Sequence, residues 1–246
     1  MNAAIQLYTV RELEESVPAI IERVADAGYD GVEFAYRVTE ADTDEVVEAL
    51  SDTGVEAAAA HVGRDALEGN FDETADLCET LGCQHVVVPG LADAYFASEE
   101  GVTAAAAVLE WFAARLSERD IDLHYHNHDH EFVDLDGTWA YERLIEETDE
   151  SVGFELDVAW AQSGGEDPAA LLDRYADRIE LIHVTDIDLD SGRQVRVGDG
   201  DVDIEACIDA AREADVEWAI YENDEPEDLA EEIDYGGRTL RELLNG

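Results

Sequence analysis

Eight short segments rich in apolar and β-branched residues alternate with amphipathic segments along the whole chain, and this alternation limits the available folds more than any other feature. The strand-like segments are Ala4 to Tyr8, Gly31 to Phe34, Val55 to Ala60, His85 to Val88, Ile121 to His126, Gly153 to Asp157, Ile179 to Val184 and Glu217 to Glu222. Between them apolar residues recur at helical spacing, as in Val17, Ile20, Ile21 and Val24, with Gly28 placed as a C-cap. Asp167 followed by Pro168 reads as an N-cap and first helical turn. Strand then helix, repeated, gives a parallel sheet. Eight such units in 246 residues predict an α/β chain closed as one (β/α)8 TIM barrel, a single domain over residues 1–246. No Gly, Ser or Pro-rich linker divides it.

In such barrels the chemistry sits where the strands end. The residues expected at that mouth are Gln6, Tyr8, Glu33, His61, His126, Asp157, His183 and Glu222. Asp157, His183 and Glu222 come from three consecutive strands and offer oxygen and nitrogen ligands to one divalent ion, Mn2+, Mg2+, Co2+ or Zn2+. Each alone also reads as a hydrogen-bonded structural group. Their convergence is what favours a site, because an unpaired carboxylate at the end of a buried strand costs several kcal/mol, roughly. Four of the seven histidines lie in LHYHNHDHEF, at positions 124, 126, 128 and 130. Period two places His124 and His126 on one side of a strand, but the strand is expected to end near His126.

Acidic residues number 63 against 14 basic ones, all Arg, for a formal charge of −49. Such self-repulsion is relieved where salt shortens the Debye length to about 3 Å at 1 M, so the acidity reads as a halophile's surface. Without clustered Lys or Arg to release counterions, nucleic acid is excluded as a partner. No stretch approaches the ~20 apolar residues of a membrane span and the N-terminus has no signal layout, which points to the cytoplasm and to no membrane partner. Cys78, Cys83 and Cys207 fit neither a disulfide framework nor zinc spacing and read as buried apolar residues.

The stretches IQLYTVR, AGYDGVEF, YHNHDHEF, FELDVAW with GGEDP, HVTDI, VGDGDVD and YEND together resemble the xylose-isomerase-like barrels, sugar phosphate isomerases and epimerases, over nearly the whole chain. The resemblance implies one divalent metal held by Glu, Asp, His and Glu from the last four strands. Asp157, His183 and Glu222 match the last three. Aligned by strand, the first Glu position holds His126; Glu131, in HNHxxEF, is the available carboxylate and is taken as the missing ligand, with His126 as the competing candidate.

The implied chemistry is proton abstraction next to a carbonyl of a small sugar or polyol. Glu222 acts as ligand and acid/base on one face, Glu131 or His126 serves the opposite face, and His128 is a neighbouring proton carrier tuned near neutrality. His124 and His130 lie outside the motif and read as structural or solvated. Tyr8, Glu33, His61, Trp160 and Arg193 are expected to contact substrate, Trp160 as a stacking wall; Arg193 and Arg196 read equally well as partners of the acidic surface.

Isomerisation, epimerisation, and the alternatives of a keto-inositol dehydratase or keto-glycoside lyase are all compatible with this set. A non-catalytic sugar-binding barrel is the rival of another class. The related apurinic-site endonucleases need a His where Trp160 stands and an Asp-x-His pair where the chain has VGDGD. A homo-oligomer is left open.

Overall fold

The computed structural model describes residues 1–246, apart from the side chain of Tyr36. Eight parallel strands form the barrel: β1 (Asn2–Gln6), β2 (Gly31–Phe34), β3 (Glu56–His61), β4 (His85–Val88), β5 (Asp122–His126), β6 (Val152–Asp157), β7 (Ile179–Val184) and β8 (Trp218–Tyr221). They pair in chain order and β8 closes back onto β1. A helix follows each strand, as the sequence pattern predicts. In the first, Val17–Ala27, Ser16 accepts a hydrogen bond from Ala19 N, Pro18 occupies the first turn and Gly28 ends the helix at φ 83°. Its apolar stripe of Val17, Ile20, Ile21 and Val24 is buried against the barrel.

The barrel interior is small and apolar at its floor, where Ala4, Ala59, Val87, Leu181, Trp218 and Ile220 cluster. Trp218 fits because Gly31 has no side chain: a Cβ there would meet the indole at 2.6 Å. Side chains alternate along a strand, so two residues beyond these apolar ones the inward positions become polar. Ala4 is followed by Gln6, Ala59 by His61, Leu181 by His183 and Ile220 by Glu222. The strand register thus stacks a polar layer on an apolar plug.

Several boundaries differ from the sequence reading. β1 ends at Gln6, whose side chain accepts from Tyr8 N, and Tyr8 lies in the 3-10 turn Leu7–Val10. β3 extends to His61. Two short hairpins, Asp134–Leu135 with Thr138–Trp139 and Asp186–Asp188 with Arg193–Val195, decorate the mouth loops. The three cysteines are buried and free, as expected. Among the described residues no helix is long and apolar enough to cross a membrane.

Candidate functional site

The ends of the last four strands bring His126, Asp157, His183 and Glu222 together, all buried, with one donor atom of each within 4.8 Å of the others. His183 Nδ1 lies 2.9 Å from Glu222 Oε2 and 3.9 Å from Asp157 Oδ2, and His126 Nε2 lies 3.7 Å from the same Oδ2. Asp157 Oδ1 is already engaged. It accepts from Thr185 Oγ1 and, as N-cap of the helix Val158–Ser163, from Trp160 N, each at 2.8 Å. By contrast Asp157 Oδ2 and both ring nitrogens of His126 are buried without a hydrogen-bond partner. Leaving such a group bare costs about 1–3 kcal/mol. Two imidazoles and two carboxylates gathered in one small volume, with these three atoms orphaned, fit a divalent transition ion.

Behind this group lies a second one. His183 Nε2 is 2.6 Å from Glu33 Oε2 and 3.2 Å from Glu155 Oε2, while His61 Nε2 is 2.8 Å from Glu155 Oε2. Gln6 Nε2 donates to Glu33 Oε2 at 2.7 Å. The His61 and His183 rings stack with centroids 5.3 Å apart. Burial opposes charge on His183, but Glu155, Glu33 and Glu222 outweigh it and hold its pKa well above the ordinary value. Burial likewise opposes charge on Glu155, yet His183 and His61 hold that carboxyl well below its usual range. Glu33 is raised, first by burial and then by the Glu155 charge. His183 turns Nε2–H to these carboxylates and Nδ1 to Asp157 and Glu222, so Nδ1 is the atom that would take an ion on giving up its proton.

A cavity of about 330 Å³ opens on the group, walled by Tyr8, His61, His126, His128, Trp160, Glu222 and Asp224 among others. The Asp224 carboxyl is pushed up to about 7 by burial and by the charges of Glu222 and Asp157. His128 is pushed down to about 3 by burial and by His126 and His130, so it stands neutral rather than tuned near neutrality.

Three expected site residues are placed elsewhere. The turn after β5 folds Glu131 back beneath the strand, where its oxygens accept from Tyr125 OH at 2.6 Å and from His128 N at 2.8 Å. The Glu131 carboxylate groups with His128 and His130, apart from Asp157. Glu33 is fully buried behind His183 and does not line the cavity. Arg193 stands on the outer hairpin, 68% exposed and paired with Glu225 Oε2 through Nε at 2.8 Å. His124 is buried and structural in placement, and His130 donates toward Leu91 O. Residues that the sequence reading did not reach are Glu155, Asp224 and Asn127. Asn127 exchanges hydrogen bonds with the backbone of Asp157 and straps β5 to β6. Glu155 was signalled by alternation, two residues before Asp157.

Residues 21–242 match the model of the xylose isomerase-like TIM barrel family. The chain belongs to that family. Among curated proteins, the inosose dehydratase of Geobacillus kaustophilus (strain HTA426) is 29% identical over 191 residues, 68% of this chain, and the chain spans 61% of that relative's length. Among solved structures, a sugar phosphate isomerase/epimerase from Parabacteroides distasonis ATCC 8503 superposes with a TM-score of 0.83 at 22% identity, over 98% of this chain and 95% of that one. The IOLI protein with a bound zinc atom superposes at 0.77 with 17% identity, over 100% and 98%. At these identities the two structures show a shared fold. This xylose isomerase-like barrel carries His126 at the strand end where a Glu was implied.

Proposed function

We propose that the chain is a divalent-metal-dependent enzyme that abstracts a proton next to a carbonyl of a small sugar or polyol. The observation that carries this reading is the convergence of His126, Asp157, His183 and Glu222, with both ring nitrogens of His126 and Oδ2 of Asp157 lacking a partner, beside a cavity of sugar size. These four residues would hold the ion, and the ion would supply Lewis-acid polarisation of the substrate's carbonyl. Glu222 is the proton acceptor: burial opposes its charge, but His183 outweighs that and keeps the carboxyl low and ionised. His128, neutral and facing the cavity, positions a substrate hydroxyl. Trp160 and Tyr8 offer aromatic faces to the sugar ring. No arginine lines this cavity among the described residues, so no side chain there is suited to bind a phosphate bidentately, which favours an unphosphorylated substrate.

A second reading, dehydration, is favoured by Asp224. A carboxyl pushed up to about 7 on the cavity wall is about half protonated at pH 7 in the ion-free site and can serve as an acid there. After Glu222 takes the proton beside the carbonyl, the electron pair forms the enolate. Its collapse expels the β-hydroxyl, which leaves as water with the proton of Asp224. The inosose dehydratase relative supports the same reading.

The test is solvent-deuterium exchange into a panel of ketoses, inososes and 3-keto-glycosides, run with metal-loaded protein at high salt. Exchange is expected, with a loss of about 10²-fold or more in Glu222→Gln. Release of water and an unsaturated product would select dehydration. Absence of exchange across the panel would overturn proton abstraction.

A further inference from the structure

The opposite end of the barrel carries another donor group, unconnected with the mouth. His85 opens β4, and His124 lies inward on the neighbouring β5, where its partner across the ladder is Val87. Their ring nitrogens, His85 Nδ1 and His124 Nε2, face each other at 2.9 Å. At this distance one imidazole donates to the other; two nitrogens about 2.0–2.1 Å from a tetrahedral ion would stand about 3.3 Å apart, so the pair need open by only a few tenths of an ångström to serve as two ligands.

The third donor arises from an irregularity in the sheet. Phe154 pairs with Ile179 and Glu155 pairs with Leu181, so Glu180 is the extra residue of a bulge. Bulges redirect a side chain, and one donor atom of Glu180 lies within 4.8 Å of those of both histidines. Glu217 lies on the other side of the His85 ring, with Oε2 3.6 Å from Nε2, and its backbone N–H donates to Glu180 O at 2.8 Å. The seat of His124 is shaped for the ring: Gly153 stands across β6, where any Cβ would overlap the imidazole. His124 Nδ1 is buried and has no partner.

We propose that His85, His124 and Glu180 form a second divalent-cation site at the floor of the barrel. Two imidazoles and a carboxylate suit Zn2+ or a similar borderline ion. The site lies at the N-terminal ends of the strands, where a barrel's residues serve stability, so the ion braces β4, β5 and β7 and takes no part in chemistry. It also offsets local repulsion between the floor carboxylates of a strongly acidic chain.

The test uses the full chain stripped by a chelator and titrated calorimetrically with Zn2+ in a high-salt buffer that screens the acidic surface. The measurement is made in Asp157→Asn, which disables the mouth group, so that the floor is read independently of the proposed activity. One equivalent is expected there, accompanied by a rise in melting temperature. Glu180→Gln and His85→Gln, each added to Asp157→Asn, should weaken that binding at least tenfold and abolish the rise. Glu180 is solvent-exposed, so its substitution leaves the fold intact by circular dichroism. No stoichiometric binding in Asp157→Asn, or binding unchanged by both floor substitutions, would overturn the site and leave a plain hydrogen-bonded imidazole pair.

Discussion

At the scale of single residues, the contrast between Glu131 and Glu155 carries the account. Both are buried carboxylates, but Glu131 serves Tyr125 OH and His128 N, whereas Glu155 serves His183 and His61. Glu131→Gln is therefore expected to leave metal affinity unchanged while lowering stability by about 1–3 kcal/mol, read from calorimetric titration and denaturant melts. Glu155→Gln should weaken metal binding about 10–100-fold, because it loosens the His183 ring. If the two variants exchanged these effects, the assignment of the site would be reversed. Asp157, His183 and Glu222 are legible in the sequence because each interrupts an apolar strand at its end. The choice between His126 and Glu131 is not, since it depends on a turn in which Glu131 caps the backbone three residues earlier, and periodicity ends where the strand does. Of the two readings open for Arg193, the structure shows pairing with an acidic surface residue, Glu225, on a hairpin too short and polar to leave a pattern that would have chosen between them.

At the scale of elements, the eight strands and their helices are readable because burial on both sides imposes apolar strands, and the helix faces keep their spacing. The mouth loops are held by single residues instead. Asp186 accepts through Oδ2 from Gly198 N at 2.8 Å and Gly200 N at 2.9 Å, and through Oδ1 from Val202 N at 3.1 Å. Gly200 is required there because a Cβ would overlap the Asp186 carboxylate. Asp186→Ala leaves those backbone donors without their acceptor and should cost about 2–4 kcal/mol, with faster amide exchange over residues 197–202 as the local signature. Unchanged exchange in that segment would show that the loop is fixed by other contacts. The single aspartate explains why a stretch rich in glycine and charge nevertheless forms an ordered wall beside the mouth.

At the scale of the whole molecule, 63 acidic against 14 basic residues make repulsion a global term that no local contact removes. Ion pairs such as Arg119 with Asp76 at 2.6 Å engage the few arginines and leave most carboxylates uncompensated. Raising NaCl from about 0.1 to 2 M is expected to raise the melting temperature by about 5 °C or more, as the Debye length contracts. A melting temperature indifferent to salt would assign the acidity another role. At the barrel mouth the proposed ion would meet His126 and Asp157 atoms that are buried without a partner. The most direct test of that centre is a crystal structure of the Mn2+-soaked protein with anomalous data collected near the manganese edge. The account predicts an anomalous peak bonded to His126, Asp157, His183 and Glu222; a peak on Glu131, or none at the mouth, would contradict it.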